Sequence, residues 1–330
     1  MGSEFFDLPA EQQQNSLTAF ATKLLSDYGI HDAKVSCINF EFNATFAVES
    51  ESGVKYALRI NINSTRTVEN MQAEVEWVRH LNRTSGINTP TPIATVKDEY
   101  IVSGLHAESG QTLYGVLYSW LDGEEIGDEP TMEQLHQVGR AIALLHQESS
   151  DFALSSGNAL PTFNDFFWST EDYLFSDKSK LSDKDRILIK EAHDHIMKFT
   201  QELYEISPVH IIHADFHGWN LMWNEGQLSI FDFDDCGFGV EAQDLAVALY
   251  YLDTPEQDVA LLNGYKSVKP LPMYSEHAMK ALLLQRRLLL LNYLFETKNQ
   301  EHQEMLPAYL EKSLERVSTF LTDVRGLEHE

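Results

Sequence analysis

Cysteine is scarce in this 330-residue chain. Cys37 and Cys236 stand alone and far apart, which excludes a disulfide framework and a paired-cysteine zinc ribbon. Positive charge is also in short supply. Lysine and arginine number 24 against 51 acidic residues, a net charge of −27. A nucleic-acid or anionic-membrane partner wants a basic surface, so neither is expected. The acidity serves either solubility or attraction of a cationic substrate. Long apolar runs are missing too. The most apolar window, Ala281 to Leu294, is broken by Gln285, Arg286 and Arg287, so it reads as a buried helix and not as a membrane span. The polar N-terminus has no basic and apolar leader pattern, which points to the cytoplasm.

What is there centres on residues 209–235. An apolar run ends in His213 and Asp215, and Asn220 follows five residues after that aspartate. Two short strand-like segments, Leu221 to Trp223 and Leu228 to Phe231, flank an Asn224-Glu225-Gly226 turn, and Asp232 ends the second. This spacing predicts a β-hairpin with an aspartate and an asparagine on the loop before it and an aspartate after it. Phosphoryl transfer from a nucleotide needs such a set. One carboxylate orients and deprotonates the attacking hydroxyl, while an amide oxygen and a second carboxylate hold Mg²⁺ on the phosphates.

The run His213-Ala214-Asp215-Phe216-His217-Gly218-Trp219-Asn220, followed by Phe231-Asp232-Phe233, resembles the aminoglycoside phosphotransferase and choline kinase family, the small-molecule branch of the protein-kinase-like fold. Ala214 stands where that family usually has glycine. The resemblance runs from about residue 30 to about 300. It implies an α+β, bilobal fold: an N-terminal antiparallel sheet lobe with one main helix over 1–118, a hinge at 119–123, and a larger, mostly helical lobe over 124–330. It implies ATP and Mg²⁺ as cofactors, Asp215 as the catalytic base, and Asn220 and Asp232 as metal ligands. The hinge backbone, taken as Ser119 and Leu121, would hold adenine.

The rest of the chain follows in order. Leu17, Phe20, Ala21, Leu24, Leu25 and Tyr28 lie at helical spacing and stop before Gly29, an amphipathic helix. Strands are expected at Val35 to Phe40, Ala44 to Glu49 and Val54 to Ile60, with Tyr56, Leu58 and Ile60 on one face of the third and Ala57 and Arg59 on the other. In the resemblance Ala57 underlies adenine and Arg59 replaces the usual phosphate-binding lysine. Asn43 lies in the turn over the phosphates, which is not a glycine-rich loop. Arg59 as a solvated strand residue is the plain alternative. Glu74 lies beside the helical stripe Val68, Met71, Val75, Val78 and Leu81; the resemblance makes it the partner of Arg59, with Glu76 as second choice and a solvated helix face as the plain alternative. Further strand-like runs are Ile93 to Val96, Tyr100 to Leu105 and Leu113 to Trp120.

Beyond the hinge, Thr131 is a candidate N-cap for a helix with Leu135, Val138, Ile142 and Leu145 inside, and His146 is read as a packing or capping residue and not as a ligand. Phe163, Phe166, Phe167, Trp168, Tyr173 and Phe175 form either core or an acceptor pocket. A helix from about Ser182 to Tyr204 and terminal helices near Ala278 to Leu294 and Leu306 to Leu321 complete the pattern. Asp244-Leu245-Ala246 matches the same family's pattern at the start of a helix, and Asp244 is read as structural, either capping that helix or anchoring the loop. Only eleven residues separate it from Asp232, too few for a polypeptide-docking segment, which favours a small-molecule hydroxyl acceptor. Three other readings compete: a zinc hydrolase using His213, Asp215 and His217, a non-catalytic nucleotide-binding regulator, and a stress-response type serine/threonine kinase. The zinc reading leaves Asn220 and Asp232 without a role. Oligomeric state is not legible.

Overall fold

The computed structural model describes residues 5–84 and 86–327. In chain order its main elements are α1 (Ala10–Leu24), β1 (Lys34–Phe40), β2 (Asn43–Glu49), β3 (Lys55–Asn61), α2 (Val68–Leu81), β4 (Ile101–His106), β5 (Gln111–Ser119), β6 (Glu124–Glu125), α3 (Met132–Asp151), α4 (Asp183–Ile206), β7 (His210–Ile212), β8 (Leu221–Asn224), β9 (Gln227–Ile230), β10 (Gly237–Gly239), α5 (Glu241–Tyr250), α6 (Pro255–Lys266), α7 (Glu276–Glu296) and α8 (Gln300–Leu327). Among the described residues no helix is long and apolar enough to cross a membrane.

The chain forms two compact units. The first is Met1–Glu125, Ala153–Leu160 and Met222–Asp234, and the second is Ile126–Phe152, Pro161–Leu221 and Asp235–Glu330. A single division at residues 119–123 does not describe them, because 153–160 and 222–234 join the first unit. Hydrogen bonds explain why. Ile230 N–H donates to Asn88 O, and Trp223 and Met222 pair with Glu124 and Glu125.

In the first unit, five strands run in the order β1-β2-β3-β5-β4, every neighbour antiparallel. The alternation in β3 decides its faces. Leu58 and Ile60 enter a core with Phe46, Val48, Leu17 and Phe20, leaving Ala57 and Arg59 on the other face. Each fully buried side chain of this kind contributes roughly 1.5–3 kcal/mol. Thr67 caps α2 in a reciprocal box with Asn70, satisfying two otherwise orphan N–H groups. The expected strand at Ile93 to Val96 does not form. Pro90 and Pro92 have no N–H to offer a ladder, Asp98 turns the chain at φ 63°, and only an isolated bridge joins Pro92 to Tyr118.

The second unit is mostly helical. α3 begins at Thr131 with a capping box to Gln134, and α4 begins at Ser182, whose side chain accepts from Asp185 N–H. α3 and α6 cross at bare backbone: a Cβ on Gly139 would lie 1.8 Å from Leu261 O, and one on Gly264 1.9 Å from His136 O. α4, α7 and α8 share an apolar core that includes Ile189, Ile196, Leu288, Leu291 and Val317.

Candidate active site

Functional side chains gather in one cluster in each unit. In the first, β3 carries Arg59 and α2 carries Glu74. Both are buried, at 7% and 3% exposure, and the guanidinium forms an ion pair with Glu74 Oε2. Tyr118 O–H donates to Glu74 Oε1 at 2.9 Å, and its ring lies 5.7 Å from the Arg59 guanidinium carbon. Arg59 is therefore no solvated strand residue. Burial works against its charge, but Glu74 and the neighbouring acids raise its pKa well above the ordinary value. Glu76 is committed elsewhere: it accepts from Ser155 N–H and Oγ–H and from Asn158 Nδ2.

The β8–β9 hairpin forms as its pattern predicts, turning through Glu225 (φ 47°) and Gly226 (φ 86°), the left-handed pair that two-residue hairpins need. Past β9, Asp232 places Oδ1 3.7 Å from Arg59 Nη1. Asp234 accepts from Asn43 Nδ2 at 2.5 Å. Burial tends to raise the Asp234 pKa, yet Arg59, with help from Asp232, Arg66 and Asn43, holds it below the usual carboxylate range. Asn43 thus meets the acid two residues past the expected metal ligand. Ala57 is half-buried on the Arg59 face of β3 and pairs across strands with Tyr118. Ser119 N–H donates to Thr91 O at 2.8 Å, so that amide is not available to an adenine ring. Leu121 lies in the irregular stretch between β5 and β6.

In the second unit the centre is Asp215. Its Oδ2 accepts from Asn220 Nδ2 at 2.9 Å and from His217 Nε2 at 3.1 Å. His217 Nδ1 accepts from Trp219 N–H, which places the ring proton on Nε2. Asp215 Oδ1 takes an ion pair from Arg286 of α7, whose Nη2 also donates to Tyr251 O–H at 2.7 Å. Burial tends to raise the Asp215 pKa, but Arg286, His217 and His213 hold it far below the carboxylate range. Asp244 braces the loop, accepting from His213 N–H at 3.0 Å and Ala214 N–H at 2.6 Å. His146 Nε2 lies 2.9 Å from the same carboxylate, so its role is bracing. His213 Nδ1 accepts the Asp215 N–H.

Arg286 and Tyr251 are not among the residues the motif supplies. The available signal was the charge interrupting the apolar run of α7, since a buried cation requires a partner. The aromatics of 163–175 are mainly core: Phe163, Phe166 and Trp168 are buried, and Phe167, Tyr173 and Phe175 pack against the α4–α7–α8 core.

The profile of the phosphotransferase enzyme family matches residues 41–279. The chain belongs to that family. An amicoumacin kinase of Bacillus subtilis (strain 168) is 27% identical over 197 residues, covering 59% of this chain and 56% of that protein. A homoserine kinase of Chelativorans sp. (strain BNC1) is 30% identical over 205 residues, covering 59% of each. The chain thus spans under two thirds of these curated relatives. A solved structure of a microcompartment-associated aminopropanol kinase superposes with a TM-score of 0.79 at 22% identity, over 92% of this chain and 98% of that one. The fold is therefore the α+β, protein-kinase-like fold that the motif implied.

Mg²⁺ prefers hard oxygen donors. The side chains expected to hold it fit that preference. Asp232 is a carboxylate with 39% side-chain exposure. Asn220 directs its Nδ2 to Asp215 O and Oδ2, which leaves the amide oxygen as its donor atom.

Proposed function

We propose that the protein is an ATP- and Mg²⁺-dependent phosphotransferase that moves the γ-phosphoryl group to a hydroxyl of a small molecule. Membership of the family supports this reading, and the ionised, hydrogen-bonded Asp215 in the family's catalytic loop carries it. The aminopropanol and homoserine kinases, named for an amino alcohol and a hydroxy amino acid, support acceptors of that kind; aminoglycoside-like sugars fit the same chemistry.

In this reading Asp215 takes the hydroxyl proton. Because its carboxylate is a weak base, the group orients the hydroxyl early and accepts the proton as the bond to phosphorus forms. Arg59, steadied by Glu74 and Tyr118, neutralises charge on the α- and β-phosphates, and arginine can grip phosphate with two donors. Asp232 and Asn220 would hold Mg²⁺, which when bound offsets phosphate charge. Asp234, tied to Asn43, stays ionised beside Arg59.

The test is ADP release with Mg-ATP over a panel of hydroxyl acceptors. Asp215→Asn is expected to abolish acceptor-dependent ADP while Mg-ATP still raises the melting temperature. Near-normal turnover would remove Asp215 as the base. Asp232→Asn is expected to weaken Mg-dependent nucleotide binding, and titration with unchanged affinity would remove its metal role. A wild type that neither binds Mg-ATP nor releases ADP would overturn the reading as a whole.

A further inference from the structure

Asp215 is asymmetrically occupied. A carboxylate offers about four lone-pair sites, two on each oxygen. Oδ2 already receives two donors, Asn220 Nδ2 and His217 Nε2. Oδ1 receives one, from Arg286. An acceptor hydroxyl must donate to the base within hydrogen-bond reach, so the remaining site is on Oδ1, beside the guanidinium.

That guanidinium is built into place. Its side chain is 12% exposed, its carbon lies 5.5 Å from the centre of the Tyr251 ring, and the Tyr251 hydroxyl accepts from Nη2. The Tyr251 ring packs 5.2 Å from that of His217. The charged and titratable groups facing Asp215 are His213 and His217 from its own loop, Tyr251 from the end of α5, and Arg286 from α7. Arg286 Nε is buried with no hydrogen-bond partner. An orphan buried donor of this kind costs free energy and calls for an explanation; holding a fixed cation against the base supplies one.

We propose that Oδ1 of Asp215 receives the acceptor hydroxyl and that Arg286, by cancelling the charge of Asp215, selects acceptors whose ammonium group stands away from the reacting hydroxyl. The inference rests on the kinase reading above and deepens it. An unpaired Asp215 would attract an ammonium on the carbon next to the hydroxyl. Paired with Arg286 it presents no net negative charge there, and the guanidinium repels a second cation at close range. Discrimination arises from that repulsive element, and any attraction for a distal amine comes from other acids.

The experiment compares kcat/KM, with Mg-ATP, for 2-aminoethanol, 3-aminopropan-1-ol, 4-aminobutan-1-ol and their N-acetyl derivatives, in the wild type and in Arg286→Gln and Arg286→Lys. The wild type is expected to disfavour the free amine most strongly when it adjoins the hydroxyl. Arg286→Gln is expected to reduce kcat yet shift the ratio of 2-aminoethanol to N-acetyl-2-aminoethanol by tenfold or more toward the free amine. Arg286→Lys, which keeps the charge, should retain the wild-type ratio. Should Arg286→Gln fail to fold, Tyr251→Phe releases the guanidinium from one anchor and should move the ratio the same way by a smaller factor. A uniform loss of kcat with unchanged ratios would make Arg286 merely structural and overturn the proposal while leaving the kinase reading intact. A wild type that binds Mg-ATP but releases ADP with no member of the series overturns this inference alone, whereas one that also fails to bind Mg-ATP overturns the kinase reading with it.

Discussion

Ala214 carries a cost visible at a single residue. Its φ is 67°, in the left-handed region where a Cβ clashes with the following carbonyl, at roughly 1–2 kcal/mol. The two N–H bonds to Asp244 hold it there. Ala214→Gly is therefore expected to raise the unfolding free energy by up to about 1 kcal/mol, the relief of strain being partly offset by glycine's unfolded-state entropy. A lower denaturant midpoint would show that the strain is not real. Glu241 gives a pH dependence. Burial tends to raise its pKa, but His210, His146 and Lys269 lower it to about 2 from an ordinary 4.5. Its stabilisation is thus present above pH 4.5 and lost as pH falls toward 2. Glu241→Gln should flatten that part of the stability profile, with chemical denaturation at stepped pH as the measurement. At this scale the pairing of Asp215 with Asn220 follows from a spacing along one loop, which survives in sequence. Arg286 was legible as a charge interrupting a buried helix but not as the partner of Asp215, because 71 positions and two helices, α5 and α6, separate them.

Among elements, strands and helices with clean periodicity matched their sequence patterns to within a few residues, because a period of two or 3.6 sorts side chains by face. The exception at Ile93 to Val96 shows an apolar run overruled by backbone chemistry. The crossing of α3 and α6 was not legible, since Gly139 and Gly264 look like helix-weakening residues until their neighbours are known. Two effects oppose each other in Gly139→Ala. Helix propensity favours alanine by about 1 kcal/mol, while a Cβ 1.8 Å from Leu261 O forces the helices apart. Overpacking of this kind costs about 1–3 kcal/mol and here meets backbone, which cannot rotate away. The variant is expected to lose stability on balance, by 1 kcal/mol or more, in thermal or denaturant unfolding. An increase would mean that the helices separate easily.

For the whole molecule, a net charge of −27 makes self-repulsion a term in stability. Raising monovalent salt from about 10 to 150 mM shortens the screening length from roughly 30 to 8 Å, so the melting temperature should rise over that range. A fall would show that favourable ion pairs outweigh the repulsion. The α+β class was legible through the resemblance that His213 to Asn220 and Asp232 carry. The membership of the units was not, because it depends on hydrogen bonds such as Ile230 to Asn88, which join distant parts of the chain. The chain passes between units five times, at 125, 152, 160, 221 and 234. Neither unit is therefore a continuous segment that one cut could release. A fragment ending at residue 125 would lack 222–234, and with it Asp232 and the strand that bonds to Asn88. The same holds for inheritance: recombination at a single point could not exchange one unit for that of a relative and leave the other entire.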